Sequence, residues 1–152
     1  MNEVRLRAKD MSVNESEAFC MEVCRNTFLS LWSHANPQGK DAGTELCDIL
    51  VVCEPDVIII SVKDCAYRET DNPRHGRERW LRSAVKKSAD QIYGAERHLR
   101  ACSQVTKADG TPGLPLPPEQ EIRVHRIAVA FGAEGSIVPM SGEYEWDKGF
   151  VL

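Results

Sequence analysis

Leu46-Cys47-Asp48-Ile49-Leu50-Val51-Val52-Cys53 and Val57-Ile58-Ile59-Ile60-Ser61-Val62-Lys63 are two apolar, β-branched runs separated only by Glu54-Pro55-Asp56. Their length and the breaker between them predict two strands, at about 46–53 and 57–63, joined as a hairpin. Runs as apolar as Val57–Ile60 are expected to be covered on both faces. Each run nevertheless carries a charge, and a charge in such a strand is costly unless something compensates it. An acid and a lysine on neighbouring strands point to a site with phosphate and metal chemistry.

Parity decides whether the two charges can meet. Side chains alternate along a strand, so Ser61 and Lys63 share a face. A two-residue turn at Pro55-Asp56 pairs Glu54 with Val57 and therefore Asp48 with Lys63. A four-residue loop also leaves Asp48, Ser61 and Lys63 on one side, whereas a three-residue loop would turn Asp48 to the other.

The chain has 152 residues, enough for one domain with a sizeable core, and its 42% hydrophobic and 28% charged content is that of an ordinary globular protein. The core is expected over about 14–131, with 132–152 a tail or the start of a further region. No apolar run approaches the roughly 20 residues of a membrane helix. Met1 to Asp10 is charged and lacks an apolar signal core, which points to a cytoplasmic protein. None of the six cysteines forms a CxxC pair, so they read as small hydrophobes. The net charge of −4 is unevenly spread: residues 63–107 hold eleven Lys/Arg against six Asp/Glu, net +5, which leaves −9 for the rest. That basic segment reads either as a footprint for DNA or as a solvated helix face.

Outward from the hairpin, Ser12-Val13-Asn14-Glu15 and the overlapping Asn14 to Glu17 fit capping boxes. Ala18, Met21, Cys24 and Phe28 then recur at helical spacing, giving a helix over about 14–26 and a short strand within 28–34. Asp71-Asn72-Pro73 leads into a strongly amphipathic helix over about 77–101, marked by Leu81, Ala84, Val85, Ile92, Ala95 and Leu99. Asp109 to Pro118 reads as a polyproline-like connector, and Ile122 to Phe131 as another buried strand. Gly39-Lys40 is followed by Asp41 rather than Ser or Thr, so it is no phosphate loop. There is no GxSxG elbow, and the four histidines have no metal-ligand spacing.

Asp48, twelve intervening residues and Ser61-Val62-Lys63, within an α-β-β-β-α-β order, resemble the signature and core of the PD-(D/E)xK nuclease superfamily over about residues 14–131. The resemblance implies an α/β fold with a restriction-endonuclease-like core, a central mixed sheet flanked by helices. It implies a Mg²⁺- or Mn²⁺-dependent deoxyribonuclease or its descendant, in which Asp48 binds the metal and Lys63 activates water or contacts phosphate. DNA and a second copy of the chain are the expected partners. Cys47 replaces the proline of the pattern, which is not chemical. Ser61 replaces its second acid, and a hydroxyl is a poor metal ligand. Some restriction enzymes of the superfamily carry Ser-x-Lys and supply the acid from the following helix, as Glu78 would here; its other reading is an acid favoured by the helix dipole. Glu45 and Asp64 are further candidates, although alternation turns Asp64 away. Gln91, near the inner stripe of the second helix, and Glu22 on the first are expected to face the site. Arg74, Arg77, Arg79, Lys86 and Lys87 are generic phosphate contacts. The alternative is a catalytically inactive nuclease fold that serves as a nucleic-acid- or protein-binding module.

Overall fold

The computed structural model describes residues 15–68 and 71–132. The capping-box residues before Glu15 and the tail beyond Gly132 lie outside them.

The elements run α1 (Glu15–Trp32), β1 (Ser33–Ala35), β2 (Ile49–Cys53), β3 (Asp56–Asp64), α2 (Pro73–Trp80), a π-helical segment (Leu81–Lys86), α3 (Lys87–Arg100), β4 (Gln104–Thr106), β5 (Pro112–Pro115) and β6 (Arg123–Phe131). Four strands form a mixed sheet in the order β1-β2-β3-β6. β1, β2 and β3 are an antiparallel meander, and β6 lies parallel to β3 because the chain crosses over through α2 and α3.

Both faces are covered, as the apolar runs require. Ile49, Val51, Ile60 and Val62 pack under Cys20, Met21 and Cys24 of α1. Leu50, Val52, Val57 and Ile59 pack under Ile92, Ala95 and Leu99 of α3. Cys20, Cys24 and Cys47 are buried free thiols whose pKa values rise through burial first and the charge of neighbouring groups second, in keeping with a packing role.

Several boundaries move. The hairpin turns at Glu54-Pro55, not Pro55-Asp56, so Cys53 pairs with Asp56 and Ile49 with Ile60. Carried on, that register sets Asp48 opposite Ser61 rather than Lys63. The slip is two residues, and because the side-chain period is also two, the shared face survives. α1 outruns the expected helix and breaks at Leu29 (φ 66, ψ 154), just past the last periodic residue, Phe28, so β1 starts only at Ser33. The second helix begins earlier, at Pro73, where Asn72 Oδ1 accepts from the Arg74 N–H at 3.1 Å. The stretch expected as a connector folds back as the β4–β5 hairpin, whose turn is tied by Asp109 Oδ1 accepting from Thr111 N (2.9 Å) and Oγ1 (2.6 Å).

Candidate active site

Asp48 stands one residue before β2, with its backbone held by Asn36 N–H donating to its carbonyl at 2.9 Å. Its carboxylate is 4% exposed and accepts the Val62 N–H at 2.5 Å. In the continued register Val62 lies opposite Cys47, so the carboxylate takes a ladder donor as β2 gives out. This charge-assisted bond compensates the buried acid from one side. From the other, Lys63 Nζ lies 3.6 Å from Asp48 Oδ2, with Lys63 28% exposed.

Gln91, on the inner side of α3, joins the two ends of the Ser-x-Lys triplet. Its Oε1 accepts from Ser61 Oγ at 2.8 Å and from Lys63 Nζ at 3.0 Å. An ammonium can only donate, so the atom facing it must be the amide oxygen. The Gln91 amino group therefore points away from Lys63, and among the described residues it has no hydrogen-bond partner. Ser61 is wholly buried; its hydroxyl also lies 3.2 Å from Ser88 Oγ, which donates to the Ala84 carbonyl at 2.7 Å.

Two further acids surround Asp48. Glu45 reaches solvent, yet its pKa is pushed up to about 7, by partial burial first, then by a hydrogen bond with Asp48 and the charges of Asp48 and Glu17, against the pull of Lys63. Glu17 on α1 is also raised, by burial and then by Asp48, again opposed by Lys63. Three carboxyl groups thus share one lysine, and their mutual repulsion adds to burial in raising Glu45 and Glu17. Such a cluster favours a cation. Among the described residues no three His, Cys, Asp or Glu side chains form a ready-made metal cage.

The structure thus brings Asp48, Ser61, Lys63, Gln91 and Glu45 together. It does not bring Glu78 to them. That carboxylate sits on the exposed side of α2, 2.9 Å from Arg74 Nε, which holds its pKa below the ordinary value, and no hydrogen bond or ion pair joins it to Asp48 or Lys63. Asp64 points to the α1 side, as alternation predicts, and accepts from Ser16 Oγ at 2.6 Å. Glu22 is exposed; the acid that α1 does contribute is Glu17. Glu17 lies four residues before Met21 and seven before Cys24, on the buried stripe, so the helical period already contained it.

Glu45 also borders a groove of about 990 Å³ between the free edge of β1 and the β4–β5 hairpin, with Arg25, His34 and Lys107 on its walls. Burial, and then the charge of Lys107, lowers the His34 pKa there. No helix among the described residues is long and apolar enough to cross a membrane. No protein-family model matches the chain, and no curated protein or solved structure matches it either.

Proposed function

We propose that this chain is a restriction-endonuclease-like domain that hydrolyses phosphodiesters in DNA with a divalent metal ion. The observation that carries the reading is the convergence of Asp48, Lys63 and Gln91 on one face of the sheet, with Glu45 against Asp48. The helix, antiparallel meander, crossover helix and parallel fourth strand support the same fold assignment.

In this reading Glu45, not Glu78, replaces the acid that Ser61 lacks. Asp48 and Glu45 offer hard oxygen donors, and the hydrogen bond between them is one that a divalent cation can take over. Mg²⁺ is commonly bound by one or two carboxylates, with water and substrate phosphate completing its shell. Bound there, the ion would supply an activated water and neutralise charge at the phosphate. Lys63, oriented by Gln91, stabilises the negative charge that develops on the phosphoryl oxygens. Gln91 leaves its amino group free to donate to the same group.

A binding module without catalysis is the second reading. Ser61 favours it, because its hydroxyl is fully buried and occupied by Gln91 and Ser88. A cleavage assay with Mn²⁺ on linear and supercoiled DNA separates the two. Wild type should cut, and Lys63→Met, whose stem packs similarly, should stay folded and lose activity by orders of magnitude. Absence of cutting by wild type would leave only the binding module, whereas equal cutting by Lys63→Met would remove Lys63 from the mechanism and refute the proposed site.

A further inference from the structure

We propose that the recess just beyond the end of β3 is a phosphate-binding site that holds the substrate strand next to the bond being cut. The idea rests on the nuclease reading of Asp48 and Lys63 for its purpose, but on separate residues for its evidence.

The recess encloses about 310 Å³, and Cys65, Arg68, Gly76, Arg79, Trp80 and Ser83 are on its walls. Its charged lining is entirely cationic. Arg74, Arg100, Arg123 and Arg126 each have a carboxylate partner. Arg68 and Arg79 have no hydrogen bond or ion pair among the described residues. Two guanidinium groups in one concavity, without a counter-charge among the described residues and with a hydroxyl beside them, form a donor set for an oxyanion.

The walls are braced. The Trp80 indole N–H donates to the Cys65 carbonyl at 2.8 Å, which ties the end of α2 to the end of β3. Gly76 is buried on α2 and adds no side chain to fill the space. Ser83 belongs to the π-helical segment, a geometry that recurs at functional sites. Position also favours a nucleic-acid strand over a free anion. Cys65 follows Lys63 by two residues of extended chain, roughly 7 Å, about the separation of neighbouring phosphates on one strand. A strand with one phosphate at Lys63 would present its next one at the recess.

Fluorescence anisotropy with the full chain tests this, using labelled DNA in EDTA so that binding is read without cleavage. The probes are one oligonucleotide with a 5′-hydroxyl and the same one with a 5′-phosphate. Arg68→Ala/Arg79→Ala should weaken binding about tenfold or more and lower the log–log salt slope by about 1, as expected for one lost phosphate contact. Arg97→Ala, at an exposed position of α3, should do neither, and circular dichroism checks that all variants fold. Equal weakening on both probes assigns an internal phosphodiester. A preference for the 5′-phosphorylated probe that disappears in the double variant assigns a terminal phosphate. Wild-type affinity and slope in the folded double variant, or no binding by wild type, would overturn the proposal. The two readings fail separately. Lys63-dependent cleavage with an unaffected double variant removes the recess alone, whereas arginine-dependent binding without any cleavage removes the nuclease alone.

Discussion

Gln91→Leu tests whether one amide organises this site. Leucine keeps the volume and the helix but deletes the oxygen that Ser61 and Lys63 share at 2.8 and 3.0 Å. Ser61 is fully buried, so its hydroxyl is left to donate only to Ser88 Oγ, at a longer 3.2 Å, whose oxygen can accept while its own proton goes to the Ala84 carbonyl. Exchanging the 2.8 Å bond for that longer one costs about 1 kcal/mol. Lys63 also loses its amide acceptor but can still turn to Asp48 and to water, which keeps the total at about 1–2 kcal/mol. For a domain of this size that corresponds to a melting temperature lower by roughly 2–8 °C. Ser61→Ala alone should cost about 1 kcal/mol for the lost hydrogen bond. The double variant loses the shared Ser61–Gln91 bond only once, so it should be about 1 kcal/mol more stable than the sum of the two singles predicts. Cleavage tests the functional half: without Gln91 the ammonium is no longer held over the phosphate, and a loss of about 100-fold is expected. Thermal melts and Mn²⁺-dependent cleavage of the four proteins complete the cycle. Strict additivity in stability, with unaltered cleavage by Gln91→Leu, would refute the shared-acceptor account.

The acids make two further predictions. Glu45→Gln removes one of two adjacent carboxylates, so Mn²⁺ affinity measured by calorimetry should fall about tenfold; equal affinity would exclude Glu45 as a ligand. The same residue sets a pH dependence in the metal-free protein. A carboxyl raised from 4.5 to about 7 in the folded state contributes stability that is complete below pH 4.5 and is lost as the pH rises through about 7. Melting temperature should therefore decline over that window, and Glu45→Gln should flatten the decline; an undiminished decline would place its cause elsewhere. Glu96 behaves oppositely. Burial raises its pKa, but Arg126, at 2.7 and 2.9 Å, and Arg100 outweigh burial, so its net shift is downward. Its contribution is present above the ordinary carboxylate range and disappears as pH falls through the lowered value. Glu96→Gln should cost about 2–3 kcal/mol at neutral pH, less than a fully buried pair because both arginines are partly exposed, with the difference closing in acid. Equal urea midpoints at neutral pH would refute this.

What was legible in the chain followed from local period. Three apolar runs and one amphipathic stripe located β2, β3, β6 and α3, because burial on both sheet faces leaves little other choice of residue. The polar site was legible for the same reason: Asp48, Lys63 and Gln91 interrupt apolar patterns where an uncompensated polar group is costly. The register was misread, since nothing local distinguishes a turn at Glu54-Pro55 from one at Pro55-Asp56, but a two-residue slip preserves faces. The β4–β5 hairpin was missed because its pairing joins Gln104 to Pro115 across a stretch whose composition reads as connector.

The position of the proposed second acid is the feature least accessible to local reading, and burial explains it. Ser61 is enclosed by Gln91 and Ser88 with no solvent contact, so a carboxylate there would have to be desolvated beside Asp48, which is itself buried. Glu45 precedes the strand, reaches solvent, and still touches Asp48. An acid outside the strand can hold a proton when nothing else is bound and release it to water when a cation takes its place. The strand position then keeps a small hydroxyl whose role is to fix the Gln91 oxygen that orients Lys63. In the proposed nuclease site a serine at position 61 and the exposure of Glu45 are two parts of one solution to the same desolvation cost.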